Sequence, residues 1–177
     1  TFGKEVLKVA KTTFSGPVQS LAGFISAGSN SVVSLTADTT LTVAAHAGKI
    51  LLTNDADGVF TLPSIVTTTP SDPTDPNQLN NLGATFTFVV VTAATDMDIV
   101  TDGTDKFLGM VYTGITTAAT GKTWVSAATN DVITQNGTTK GGVAGSYIRV
   151  TAIASAQYFV EGMLLGSGTI VTPFADA

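Results

Sequence analysis

The chain has 177 residues, enough for one domain with an appendage and a core that needs no covalent staples. It contains no cysteine, which excludes disulfide frameworks, thiolate metal sites and cysteine nucleophiles. A formal net charge of −5 argues against nucleic acid as the partner of the whole body, because phosphate binding needs a basic surface.

Only 12% of residues are charged, and Thr makes up roughly a sixth of the chain, well above its usual share. Such a Thr-, Val- and Gly-rich composition points to β structure, because β-branched side chains fit a pleated surface. No apolar run approaches the ~20 residues of a membrane helix, so no membrane partner is expected. No secretory leader is read at Thr1, and synthesis in a bacterial cytoplasm is expected.

In chain order, residues 1–30 read as an arm. Lys4, Lys8 and Lys11 stand against one acid, Glu5, while the rest of the chain carries five basic and twelve acidic residues. Phe2, Val6, Val9 and Ala10 fall close to helical spacing. From Thr12 onward Ser, Gly and Thr dominate, with Pro17, Phe14, Leu21, Phe24 and Ile25 among them. That segment is too apolar for a solvated linker, so the arm is expected to lie on another surface. The alternative is a disordered, positively charged tail.

Residues 31–177 read as the body. Strand signals recur at 31–36, 39–43, 49–53 and 59–62, with Asn54, Asp55, Asp57 and Gly58 forming a hairpin-type loop between the last two. Residues 67–83 hold Pro70, Pro73 and Pro76 and form an excursion longer than most loops in compact domains. Residues 84–92 are the strongest strand, and the apolar stretch 88–91 predicts burial on both faces. Strands at 98–101 and 106–111 flank Asp102-Gly103, and 113–130 is a Thr- and Ala-rich stretch with the single Trp124. A strand at 131–135 leads into Asn136-Gly137, the strongest two-residue hairpin signal in the chain. A long pair at 146–153 and 157–163 follows, then a short strand at 168–172 ended by Pro173. The expected fold is all-β: a β-sandwich or jelly-roll-like barrel of about ten to twelve short antiparallel strands behind an N-terminal arm.

The order of motifs carries a resemblance. Leu35-Thr36-Ala37 precedes Gly48-Lys49-Ile50-Leu51-Leu52, then Gly58-Val59-Phe60-Thr61-Leu62-Pro63 and Gly83-Ala84-Thr85-Phe86-Thr87-Phe88. Lys106-Phe107-Leu108-Gly109, Gly145-Ser146-Tyr147-Ile148-Arg149-Val150 and Tyr158-Phe159-Val160-Glu161-Gly162 complete the series. Across about residues 31–172 this succession resembles small virion structural proteins of marine tailed phages, including cyanophages. The resemblance implies a compact β-domain, often trimeric, displayed on the capsid or carried in a fibre. It brings no catalytic residues with it.

Few residues offer catalytic or ligand-binding chemistry. His46, the single histidine, sits in a turn-like Ala-rich segment and reads as structural or solvated, without a Gly-x-Ser-x-Gly elbow beside it. Gly121-Lys122-Thr123 looks like the end of a phosphate loop, yet Thr116 stands where the motif needs its first Gly. Asp55/Asp57, Asp96/Asp98 and Asp102/Asp105 read as turn aspartates bonding their own backbone, with structural calcium and a paired-carboxylate hydrolase as the alternatives. Asn136-Gly137-Thr138 matches a glycosylation sequon that a hairpin turn explains.

These expectations combine into a non-enzymatic virion protein without cofactor or metal. It decorates the capsid surface as a homo-oligomer, a trimer favoured, and cements the head by bridging subunits of the major capsid protein. Phe2, Lys4, Val6, Lys8, Lys11, Phe14 and Phe24 are the residues expected to dock the arm on the shell. Their apolar members carry the affinity, because an exposed ion pair adds only ~0.2–1 kcal/mol. The alternative is a receptor- or glycan-binding module of a tail fibre, against which the scarcity of Trp and Tyr counts.

Overall fold

The structure is a computed structural model that describes residues 31–67 and 80–177. The proposed arm, with Phe2, Lys4, Val6, Lys8, Lys11, Phe14 and Phe24, lies outside the described residues, as does most of the proline-rich excursion. Among the described residues there are twelve strands and one short helix. They are β1 (Val32–Leu35), β2 (Thr39–Thr40), α1 (Val43–His46), β3 (Ile50–Thr53), β4 (Val59–Thr61), β5 (Thr85–Val90) and β6 (Met97–Val100). The second half adds β7 (Lys106–Ile115), β8 (Gly121–Val125), β9 (Val132–Gln135), β10 (Tyr147–Ala154), β11 (Gln157–Gly166) and β12 (Phe174–Ala175). The helix is a single turn and is not long and apolar enough to cross a membrane.

The strands form two sheets. One has seven strands in the order β1-β3-β5-β10-β11-β7-β8, the other five in the order β12-β9-β6-β4-β2. Leu51, Phe86, Phe88, Val111, Ile148 and Val160 of the larger sheet face Phe60, Ile99 and Ile133 of the smaller, and all are almost fully buried. The rings of Phe60 and Phe88 stack across this interior with centroids 6.3 Å apart. Alternation explains the arrangement: on β5 the buried positions are Phe86, Phe88 and Val90, with the residues between them turned outward. The nearly all-β, sandwich-like architecture therefore follows the sequence expectation.

Strand direction is the main correction. Among the described pairings five are parallel and five antiparallel, where the sequence suggested antiparallel strands throughout. The cause is a winding path. From β1 to β6 the chain changes sheet at every strand, so β1, β3 and β5 become parallel neighbours in one sheet and β2, β4 and β6 in the other. The loop at 54–58 is therefore an arch between sheets and not a hairpin. Its chemistry is that of any turn, and it stacks on its neighbours: Asn54 N–H donates to Leu35 O at 2.9 Å, and Thr95 N–H donates to Ala56 O at 2.7 Å.

Other local expectations shift for identifiable reasons. The strand expected at 39–43 is cut to two residues because Thr42 caps α1, its hydroxyl accepting from Ala45 N–H at 3.3 Å. The Thr-rich stretch after residue 112 completes β7 and supplies β8. Asn136-Gly137 does turn the chain, but β9 and β10 lie in different sheets. Asn136 Oδ1 accepts from the N–H groups of Thr138 and Lys140, which closes a compact loop instead of a β9–β10 hairpin. Residues 168–172 form no strand. Pro173 has no N–H to give a ladder, and the last strand forms after it, pairing Phe174 with Ile133.

The excursion has a fixed base. Asn81 is 8% exposed; its Oδ1 accepts from Val66 N–H at 2.7 Å and its Nδ2 donates to Ser64 O at 2.9 Å. Asn80 Nδ2 donates to Thr67 O at 3.0 Å. The chain thus leaves and rejoins the body at one clasped point. Beside it, the buried Tyr158 hydroxyl donates to Pro63 O at 2.5 Å and ties β11 to the exit of β4. Burial, with Asp105 and Asp102 nearby, pushes that hydroxyl's pKa above the usual tyrosine range.

Candidate functional site

Of the acidic pairs, Asp102 behaves as a turn residue. Its Oδ1 accepts from the N–H groups of Thr104 and Asp105, both at 2.9 Å. Burial alone would raise this carboxyl, but the Asp105 N–H, the Ser64 side chain and the Thr104 N–H outweigh it and hold it low. Asp105 and Asp98 move the other way, burial pushing both up despite hydrogen bonds to Ile65 N–H and the Thr134 side chain. No three acidic or histidine side chains among the described residues gather where a metal ion would sit.

His46 is absorbed locally: its Nδ1 accepts from Thr42 N–H at 2.9 Å, within α1 and its cap. Gly121-Lys122-Thr123 lies in β8, where Lys122 Nζ sits 5.5 Å from the centre of the Trp124 ring. Asn136 spends its side chain inside its own loop.

The feature that stands out is the outer face of the seven-stranded sheet. Alternation along β7 buries Phe107, Val111 and Thr113 and turns Leu108, Met110 and Tyr112 to solvent. On β11 the outward residues are Phe159, Glu161 and Met163. The register lines these up in rows across the sheet. From β1 to β10 one row reads Val32, Ile50, Thr87 and Arg149. It continues over β11, β7 and β8 as Glu161, Met110 and Val125. The next row sets Tyr147 beside Met163, and Met163 beside Tyr112. A third sets Phe159 beside Leu108.

Arg149 and Glu161 are the charged residues of these three rows, and they neutralise each other, with Arg149 Nε donating to Glu161 Oε1 at 2.6 Å. Met110 and Val125 stay 55% and 69% exposed. A solvated sheet face ordinarily carries polar and charged residues, and contiguous exposed apolar area marks an interaction surface. Between Thr87, Tyr147, Arg149 and Glu161 the face dips into a shallow cleft of about 230 Å³.

Sequence reasoning named none of these residues as a site. A signal was present: 107–112 and, apart from Glu161, 158–165 run apolar on both strand faces, which reads equally well as a strand buried on both sides. Only the topology shows that one of those sides is uncovered. A scan of family models, a search of curated proteins and a search of solved structures each return no match.

Proposed function

We propose that this chain is a non-enzymatic structural protein of a phage virion that decorates the head and cements it. The observation that carries the adhesive part is the largely apolar, net-neutral face of the seven-stranded sheet, where Arg149 and Glu161 pair with each other, a surface suited to contact with protein. The virion part rests on the motif order from Leu35 to Gly162, which resembles small virion proteins of marine tailed phages.

The working unit is an oligomer, for which the resemblance implies a trimer. The arm of each copy docks on the major capsid protein, with Phe2, Val6, Phe14 and Phe24 in apolar contact and Lys4, Lys8 and Lys11 against shell acids. Binding only the assembled head stabilises it by mass action, and several arms on one oligomer make weak single contacts sufficient. The experiment is occupancy on purified heads for the full chain and for the double variant Phe14→Ser/Phe24→Ser. Strong loss of occupancy with the variant supports the reading. Absence of the wild-type chain from heads overturns it.

One observation favours a second reading, a receptor- or glycan-binding module of a tail fibre. The cleft pairs the aromatic Tyr147 with the hydrogen-bonding groups of Arg149, Glu161 and Thr87. Copy number separates the two: a decorating protein is abundant on the head, a fibre module scarce and confined to the tail.

A further inference from the structure

The body of this chain is strongly acidic, twelve acids against five bases outside residues 1–30. The outer face of the seven-stranded sheet departs from that balance, since its three central rows carry one cation and one anion on neighbouring strands. We propose that this face is where two copies of the chain meet, sheet against sheet, about a two-fold axis. The inference rests on the adhesive reading above and replaces the trimer with a pair.

Charge selects the occupant. The lysines of the arm would gain most from the acidic remainder of the body and nothing from a neutral face, and its apolar residues are committed to the shell in the reading above. A basic partner likewise would find no field here to attract it. A second copy finds its own complement: apolar residues meet apolar residues, and acidic surface elsewhere is kept apart. With the axis near β10 and β11, each Arg149 meets the other copy's Glu161, so two adjacent pairs become one alternating set of four charges. A two-fold contact needs this self-complementarity, because the same patch serves both partners.

Size agrees. Seven strands at ~4.8 Å spacing, with rows spread over several residues, give a projected area on the order of 600 Å² before side-chain relief is added. That is comparable with the ~800 Å² that each partner of a stable complex commits. Sheets packed face to face also use such interdigitating apolar rows.

The test uses the full chain and its double variant Met110→Lys/Met163→Lys. Both positions face solvent in the single chain, so the fold of the variant is checked by its circular dichroism and melting. Sedimentation should give the mass of two chains for the wild type and one for the variant. The absence of native cysteine allows a second readout. The double variant Thr87→Cys/Met110→Cys, whose two positions lie one strand beyond Arg149 and Glu161 and so face each other across that axis, should cross-link between copies under mild oxidation, whereas Val59→Cys on the other sheet should not. A monomeric wild type, a pair that survives M110K/M163K, or a mass of three chains overturns the proposal. So does a wild-type pair lost on Phe14→Ser/Phe24→Ser and kept in M110K/M163K, which would assign the contact to the arm. Each of these leaves head occupancy, and with it the function proposed above, to be decided separately.

Discussion

From β1 to β6 the chain winds, changing sheet at every strand and laying each new strand parallel to an earlier one. From β7 on it makes hairpins, β7 with β8 and β10 with β11, and closes the sheets through antiparallel pairs on either side. The two halves differ in what holds them. In the winding half, short parallel ladders of two to four residue pairs join the strands, and single bonds join the stacked arches: Val59 N–H to Asp38 Oδ1 at 2.8 Å, Asn54 N–H to Leu35 O, Thr95 N–H to Ala56 O. A stacked arch tolerates insertion. The step from Val32 to its partner Ile50 is short, while the step from Ile50 to Thr87 takes in the whole excursion, clasped at its base by Asn80 and Asn81. In the hairpin half, long strands lie side by side over ten residues, and the backbones themselves must fit. Variation is thus expected in the arches, and exact packing in the β7–β11 seam.

Two glycines test that contrast most severely. Gly109 in β7 has φ +143, and a Cβ there would lie 2.0 Å from the carbonyl oxygen of Val160 on β11. Gly48 in the winding half has φ +72, and a Cβ would meet nothing within 4 Å. Gly109→Ala should therefore cost roughly 3 kcal/mol or more, from backbone strain plus a clash that only strand separation relieves. Gly48→Ala should cost only about 1–2 kcal/mol, the price of a left-handed alanine. Urea titration of both variants gives the numbers. Equal losses would remove the distinction between the halves.

The next largest effect concerns the seam between the hairpin strands and the C-terminus. Lys106 Nζ donates to Asp131 Oδ2 at 2.6 Å, and Ala177 N–H donates to its Oδ1 at 2.8 Å. The Asp131 side chain is only 7% exposed. Burial would raise its pKa, but Lys106 and the Ala177 N–H outweigh burial and hold the carboxyl below its ordinary value. Lys106→Met leaves that carboxylate with one donor and should cost about 2–3 kcal/mol near neutral pH, below the full cost of a buried pair because Lys106 is a third exposed. The sign follows from the lowered folded pKa. The contribution is complete above the unfolded value of ~3.9 and is lost as pH falls through the folded one. Wild type and variant should therefore converge on acidification. A gap that stayed constant down to pH ~2 would show that Asp131 is not the group involved.

Much of this architecture was legible in local pattern, and the illegible part has one physical source. The strand at 84–92 showed itself through Phe86, Phe88 and Val90 at every second position, and those at 49–53 and 59–62 through short apolar runs bounded by turn residues. So did the turn role of Asp102, whose Oδ1 accepts from the nearby N–H groups of Thr104 and Asp105. Pairing did not show itself. Asp57-Gly58 and Asn136-Gly137 supply turn chemistry whether the next strand returns to the same sheet or crosses to the other, because the turn residues feel only their nearest neighbours. The candidate face stayed hidden for the same reason. Leu108, Met110 and Tyr112 alternate with Phe107, Val111 and Thr113, and which set is covered is decided by strands far away in sequence.

The smallest expected effect lies inside the hairpin half and should be a gain. Gln135 at the end of β9 is 0% exposed, and neither its amide nitrogen nor its amide oxygen has a hydrogen-bond partner. Gly142 packs against its Cβ, so the site has no room for branching there. Methionine matches glutamine in length and flexibility and carries no buried amide to leave unpaired. Gln135→Met should therefore raise stability by about 1 kcal/mol, the low end of the cost of an unsatisfied buried polar group. The readout is the shift in the urea midpoint at unchanged slope. A loss instead of a gain would mean that the amide does find a partner in solution. Gln135 would then be a structural tie across the loop at Gly142, like Asn81 at the base of the excursion, and the hairpin half would depend on a polar clasp just as the winding half does.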